Sequence, residues 1–255
     1  MTPDSGLFLP GVATLIQLIG LPRSGTTLLA QVVGKHSDIL TLSEPFLMYL
    51  DNGFFRWSDK AGKVRTTLSN PGKLIKRFLK ERPGKYLAFK ETWRDPSSDY
   101  YPNSEFLLQN WQRGIKTIAI VRDPRAVWYS SLNRYSDGVS QMPDDTFLQS
   151  WCRFGRMIRE SGMPYVRYED LVLHPGEALA RVFGSIGFDE YPSDLNLPVM
   201  TGYGDEKAQS GGVISDASLT KYRRLDAAVL ARIESSCSDF MREFGYSDLA
   251  VKMRT

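Results

Sequence analysis

The chain has 255 residues, 42% hydrophobic and 24% charged, with 32 basic and 29 acidic side chains giving a formal net charge of +3. This length and apolar content suffice for a sizeable core and suit one large domain over residues 1–255 better than two small ones. So balanced a charge does not announce a nucleic-acid partner, and any basic function is local.

The two cysteines, Cys152 and Cys237, lie far apart in sequence without histidine spacing around them, which indicates neither a disulfide framework nor a zinc site and fits a reducing compartment. The apolar stretch Leu7–Leu21 is broken by Pro10, Gly11, Gln17 and Gly20, and Asp4 stands where a secretory signal would be basic. The expectation is a soluble, cytoplasmic protein without a membrane partner.

In chain order, Thr14–Gly20 reads as a short strand that runs into a Gly/Pro/Ser cluster, followed by Leu28, Leu29, Val32 and Val33 at helical spacing. Asp51–Gly84 is polar and turn-rich apart from the basic amphipathic stretch Lys73–Lys80, expected as a helix outside the sheet. Tyr86–Phe89 reads as a strand, and so does Thr117–Val121, which ends at Arg122. There Asp123 can cap and Pro124 can open a helix reaching about Arg134. A helix over Thr146–Glu160, a strand over Pro164–Arg167 and a helix over Glu177–Ile186 complete the pattern. Gly202–Ala217, which contains Ser210, reads as a long loop. Strands alternating with helices predict an α/β fold, a parallel sheet flanked by helices.

Gly20-Leu-Pro-Arg-Ser-Gly-Thr-Thr27 has the glycine spacing of a phosphate-binding loop, with Thr26 in place of the usual lysine. Backbone N–H groups in such a turn and the following helix N-terminus hold an anion, and Arg23 restores the missing charge with a planar, bidentate fork. Without the lysine, nucleoside triphosphate hydrolysis is poorly supported. A P-loop nucleotide kinase or a non-catalytic nucleotide-binding protein nevertheless remains an alternative. A second anion site is suggested by Arg122 at a strand end, with Ser130 and Arg134 at i and i+4 on one helix face.

Together the two sites resemble the sulfotransferase family, whose members pair a loop of the Pro22-Arg23-Ser24-Gly25-Thr26-Thr27 type with an arginine and a serine eight residues apart, as Arg122 and Ser130 are. The likeness is greatest to the tyrosylprotein sulfotransferases and next to the carbohydrate sulfotransferases. Glu44, 21 residues after Arg23, matches their glutamate, and Lys90 after a short strand matches their catalytic lysine. Arg134 lies twelve residues after Arg122, and Tyr168-Glu-Asp-Leu-Val-Leu-His-Pro175 and Ser218-Leu-Thr-Lys221-Tyr222 match their segments near the donor.

The resemblance implies a P-loop nucleotide-hydrolase-like (sulfotransferase) fold and in-line transfer of a sulfuryl group from 3′-phosphoadenosine-5′-phosphosulfate (PAPS) to an acceptor hydroxyl, with no metal required. By it, Arg23, Ser24, Gly25, Thr26 and Thr27 hold the 5′ side of the donor, and Arg122 and Ser130 hold its 3′-phosphate. Arg134, Tyr168, Ser210 and Lys221 add to donor binding. Catalysis falls to Lys90 on the bridging oxygen, Arg23 on the sulfuryl oxygens and Glu44 as base. His36, near a helix C-terminus, and His174, before a proline, are expected to be structural. Phe54, Phe55, Trp57, Tyr100 and Tyr101 are candidates to line the pocket of an acceptor that stays open among phenol or tyrosine, saccharide and specialised metabolite.

Overall fold

The computed structural model describes residues 15–44, 55–58, 64–68, 80, 85–93, 104–134, 142–193, 196–197, 212–213 and 216–246. In chain order these give β1 (Leu15–Gly20), α1 (Thr26–Val33), β2 (Ile39–Ser43), β3 (Phe55–Ser58), β4 (Val64–Leu68), β5 (Tyr86–Thr92) and α2 (Ser104–Gln112). There follow β6 (Lys116–Val121), α3 (Pro124–Arg134), α4 (Asp145–Ser161), β7 (Tyr165–Arg167), α5 (Tyr168–Leu173) and α6 (Pro175–Ser185). Last come β8 (Asn196–Leu197), β9 (Gly212–Val213), two 3-10 turns (Asp216–Ser218 and Lys221–Arg224) and α7 (Ala227–Glu243).

Five strands form one sheet in the order β2-β5-β1-β6-β7, and every pair in it is parallel. Parallel strands need both faces covered, which explains why β1 and β2 are buried along their whole lengths. Alternate residues of β1 serve the two faces: Leu15 and Ile19 pack with Trp151, Phe154, Ile233 and Phe240 of α4 and α7, while Ile16 and Leu18 pack with Leu29, Val33, Leu179 and Phe183 of α1 and α6. Gln17 faces the first layer yet is fully buried. Its amide donates to the Leu107 carbonyl at 2.9 Å and accepts from Asn110 Nδ2 at 2.6 Å, so a polar residue at the sheet centre ties β1 to α2.

The expected α/β class and most strand positions hold, with three local differences. β5 runs on to Thr92 rather than stopping at Phe89, because β1 and β2 both extend its ladder. The region 51–84 contains an antiparallel hairpin, β3 with β4, and 202–217 contains β9, which pairs with β8, and a 3-10 turn. The expected helix at 73–80 lies outside the described residues except for Lys80. Among the described residues, no helix is long and apolar enough to cross a membrane.

Asp123 caps α3 as anticipated, its Oδ1 accepting from the Arg125 N–H at 2.9 Å. The two cysteines, distant in sequence, meet where α4 packs on α7, with Sγ atoms 3.8 Å apart and both thiols free. Gly155 marks the tightest point of that packing. A Cβ there would stand 2.9 Å from the Phe240 ring and 3.2 Å from Phe244. Gly155→Ala gains about 1 kcal/mol of helix propensity but overpacks two buried rings at a cost of about 1–3 kcal/mol, so a net fall in the denaturant midpoint of unfolding is expected.

Candidate active site

β1, β2, β5 and β6 all end at one edge of the sheet, with Gly20, Ser43, Thr92 and Val121 near their carboxyl ends. In open α/β sheets that is the edge where ligands bind. β1 feeds the loop Leu21–Gly25 and α1 leaves it, as the glycine spacing predicts. Gly20 is required by close approach, since a Cβ would lie 2.5 Å from Ser24 Oγ and 2.7 Å from both Ile120 Cγ2 and Thr26 Cγ2. Gly25 sits at φ 99° and a Cβ would meet the Tyr168 ring at 2.4 Å. Arg23 also adopts a left-handed conformation, φ 66°, which is uncommon outside glycine and marks local strain.

Within the loop Ser24 is turned inward: its N–H and its Oγ both donate to the Leu21 carbonyl, at 3.1 and 2.7 Å. That hydroxyl closes the turn. α1 then begins at Thr26, and the first N–H groups of a helix have no intrahelical acceptor, which leaves the start of α1 as the anion-facing end.

The second half of the site is tied directly to this loop. Arg122, 7% exposed, donates through Nη1 to the Arg23 carbonyl at 3.1 Å and through Nη2 to the Ser218 carbonyl at 3.4 Å. Its Nε is buried and, among the described residues, has no hydrogen-bond partner. Arg23 in turn donates through Nε to Ser130 Oγ at 3.1 Å. The Arg122 guanidinium lies 4.1 Å from the centre of the Tyr168 ring, and the Tyr168 hydroxyl is 2.7 Å from Ser218 Oγ. Tyr168 thus touches the loop at Gly25, the guanidinium and the segment before Lys221. Lys221 itself is exposed at the start of its 3-10 turn. Arg134 closes α3 with a side chain outside the described residues, and Ser210 lies outside them altogether.

Across β1, the strand register puts Lys90 beside Ser43. Lys90, 3% exposed, donates to Glu44 Oε1 at 2.9 Å and to Ser43 Oγ at 3.4 Å, and Thr92 Oγ1 donates to the same Glu44 Oε1. Glu44 is 7% exposed, and its N–H continues the ladder to the Lys90 carbonyl at 2.7 Å. It then turns the chain at φ 45°. Lys90 is thus a buried cation inside a strand, not a surface lysine after one.

His36 and His174 stand apart from this cluster. His36 Nδ1 accepts from the Asp38 N–H at 3.2 Å and its ring packs on Phe183 and Phe188, while His174 links α5 to α6. Of the aromatics considered for an acceptor, Phe54, Tyr100 and Tyr101 lie outside the described residues, and Phe55 and Trp57 fall in β3, where only the backbone is described.

Four contributors were not singled out from the sequence: Thr92, Ser43, Trp151 and Glu169. Thr92 had a signal, since it shares a strand face with Lys90 at i and i+2. Trp151 Nε1 donates to the Arg122 carbonyl at 3.1 Å, and Glu169 Oε1 accepts from the next N–H, that of Asp123, at 3.1 Å. Nothing local marks either of them.

No protein-family model matches the chain. Its fold is that of the sulfotransferases: it aligns with mouse sulfotransferase SULT7A1 complexed with PAP at a TM-score of 0.59 and 16% identity, over 97% of this chain and 91% of that one. It also aligns with the sulfotransferase domain of the Synechococcus PCC 7002 olefin synthase at a TM-score of 0.53 and 20% identity, over 87% and 93%. In sequence it is 27% identical over 239 residues to protein-tyrosine sulfotransferase 2 of Gallus gallus, covering 82% of this chain. The chain spans 58% of the length of that relative. The chain thus shares the sulfotransferase fold and is similar in sequence to a protein-tyrosine sulfotransferase.

Glu169 gives this site a pH signature. Its Oε2 accepts from the Tyr246 hydroxyl at 3.1 Å, and burial, followed by the charge of Asp123, pushes its carboxyl up to about 7. A carboxyl raised in the folded state binds its proton more tightly there than in the unfolded chain. The folded state therefore loses stability as pH rises from about 4.5 to about 7, by up to about 3 kcal/mol. Glu169→Gln is expected to remove that slope, so the difference in unfolding free energy between variant and wild type, measured from pH 5 to pH 8, should grow in the variant's favour.

Proposed function

We propose that the chain transfers a sulfuryl group from PAPS to an acceptor hydroxyl. The observation that carries this reading is the direct link between the two anion sites, Arg122 Nη1 to the Arg23 carbonyl at 3.1 Å and Arg23 Nε to Ser130 Oγ at 3.1 Å. A nucleotide phosphorylated at both ends of its ribose needs two such sites joined at fixed spacing. The buried Arg122 Nε, without a partner among the described residues, and the open end of α1 are the fit expected of residues built for such a ligand.

In this reading Arg122 and Ser130 hold the 3′-phosphate, with Tyr168 stacked on the guanidinium, and the start of α1 with Thr26 and Thr27 holds the 5′-phosphate. The donor supplies the sulfuryl group, whose bond to the acceptor oxygen forms as its bond to the bridging oxygen breaks. Lys90 stabilises the charge that develops on the leaving phosphate, Arg23 orients the sulfuryl oxygens, and Glu44 takes the acceptor proton. Lys90 is paired with Glu44 in this structure, so it changes partner when it serves the donor.

The acceptor is a hydroxyl, and a phenolic one is the first to test because the curated relative is a protein-tyrosine sulfotransferase. A reducing, cytoplasmic setting belongs to the same proposal, supported by a composition of two cysteines far apart in sequence.

Calorimetry with 3′-phosphoadenosine 5′-phosphate, ADP and ATP, each with and without magnesium, is expected to give metal-independent preference for the 3′-phosphorylated ligand. Arg122→Ala should weaken that binding about a hundredfold. Preference for ATP with magnesium would replace this reading with a kinase. Glu44→Gln is expected to lower transfer at least about a hundredfold while leaving nucleotide affinity intact.

A further inference from the structure

The proposed base is held by a residue that neither charge nor motif singles out. Glu44 Oε1 accepts from two donors, Lys90 Nζ at 2.9 Å and Thr92 Oγ1, and among the described residues Oε2 accepts from none. Lys90 and Thr92 project from the same face of β5, two residues apart, and Thr92 is 6% exposed. Thr92 pairs in register with Gly20, which has no side chain, so its hydroxyl stands beside the entry of the anion loop. Glu44 has left the ladder at φ 45°, so past its N–H its carboxylate is held by Lys90 and Thr92 rather than by regular strand geometry.

We infer that Thr92 is a positioning residue that fixes the Glu44 carboxylate with Oε2 toward the acceptor, and that keeps it there when Lys90 moves to the leaving phosphate. The inference rests on the proposed role of Glu44 as base. In the transfer step the acceptor O–H proton passes to Oε2, the acceptor oxygen bonds to sulfur, and the bond from sulfur to the bridging oxygen breaks with its electrons retained by the departing phosphate. Lys90 cannot neutralise Glu44 and serve that phosphate at once. Once it turns away, Thr92 is the donor left on the carboxylate among the described residues, and its hydrogen bond holds the carboxylate in place. A valine at this position matches the shape of threonine without the hydroxyl, whereas serine keeps it.

The test compares Thr92→Val, Thr92→Ser and Glu44→Gln. Turnover is followed from PAPS to 4-nitrophenol and, because it needs no knowledge of the natural acceptor, to water, read as released sulfate. Affinity for 3′-phosphoadenosine 5′-phosphate is measured alongside as a check on folding and on the donor site. Thr92→Val is expected to lower kcat about tenfold with donor affinity within about twofold of wild type, and to move the acid limb of the kcat–pH profile upward. Thr92→Ser is expected to restore both. Wild-type kcat and an unmoved acid limb in Thr92→Val, with Glu44→Gln impaired, would overturn the role of Thr92 and leave Glu44 as the base. Full turnover in Glu44→Gln would overturn the base assignment and the Thr92 proposal together. A Thr92→Val variant that loses donor affinity as much as turnover, unrescued by serine, would mark Thr92 as merely structural and equally overturn the proposal.

Discussion

A carboxylate and an ammonium group are buried side by side at the carboxyl edge of the sheet, and the rest of the site is arranged around the cost of holding them there. The side chains of Lys90 and Glu44 are 3% and 9% exposed. Removing two charges from water costs several kcal/mol per ion, and their mutual attraction repays it only when further hydrogen bonds complete the pair. Ser43 and Thr92 supply those bonds. A hydrophobic pair would fill the same space at lower cost, so the ion pair is better explained by what the charges can do than by stability. The register makes it possible: in parallel strands without a slip, Ser43 falls opposite Lys90 and delivers Glu44 one residue beyond.

Arg122 poses the same problem with a different solution. Among the described residues no carboxylate is ion-paired with its buried guanidinium, which is held by the Arg23 and Ser218 carbonyls and the face of Tyr168. Its backbone is fixed as firmly, by Trp151 on its carbonyl and Glu169 on the following N–H. The Arg122–Asp123 pair is thereby gripped by the Tyr168–Glu169 pair at the end of the neighbouring strand, one member stacking and the other accepting a hydrogen bond. A cation so placed keeps its charge available for an anion because its direct contacts among the described residues are dipoles and a ring.

Legibility in the sequence followed distance along the chain. The loop from Gly20 to Thr27, the strand ending at Arg122 and the helix opened by Pro124 were readable because glycine spacing, apolar runs and capping are local signals. Arg122 and Ser130 were suggested by a strand end and a helix face, Glu44 and Lys90 by a family resemblance, and the structure joins the first two through Arg23 and the second two directly. Thr92 was missed because the strand was ended at Phe89, the last apolar residue of its run. A parallel strand buried on both faces can continue into polar residues when those residues meet at the site. Glu169 and Trp151 were invisible for a stronger reason: their partners are backbone atoms 46 and 29 residues away in the chain, a relation that only the fold creates.

The lysine absent from the loop and the strain at Arg23 have one explanation. A lysine at position 26 would place a point charge at the helix start. Here Thr26 occupies that position and the cation comes instead from Arg23, which reaches back across the loop only by adopting φ 66°. In that conformation its carbonyl is presented to Arg122 and its Nε to Ser130, so one strained residue joins the loop to Arg122 and to α3 through both its backbone and its side chain. Strain of order 1–3 kcal/mol at such a position is sustained by the contacts that over-determine it. The same geometry sets how the site responds to a ligand. Arg23 on Ser130 and Lys90 on Glu44 are internal bonds, and under the proposed function donor binding exchanges these partners on a fixed frame rather than building the site anew.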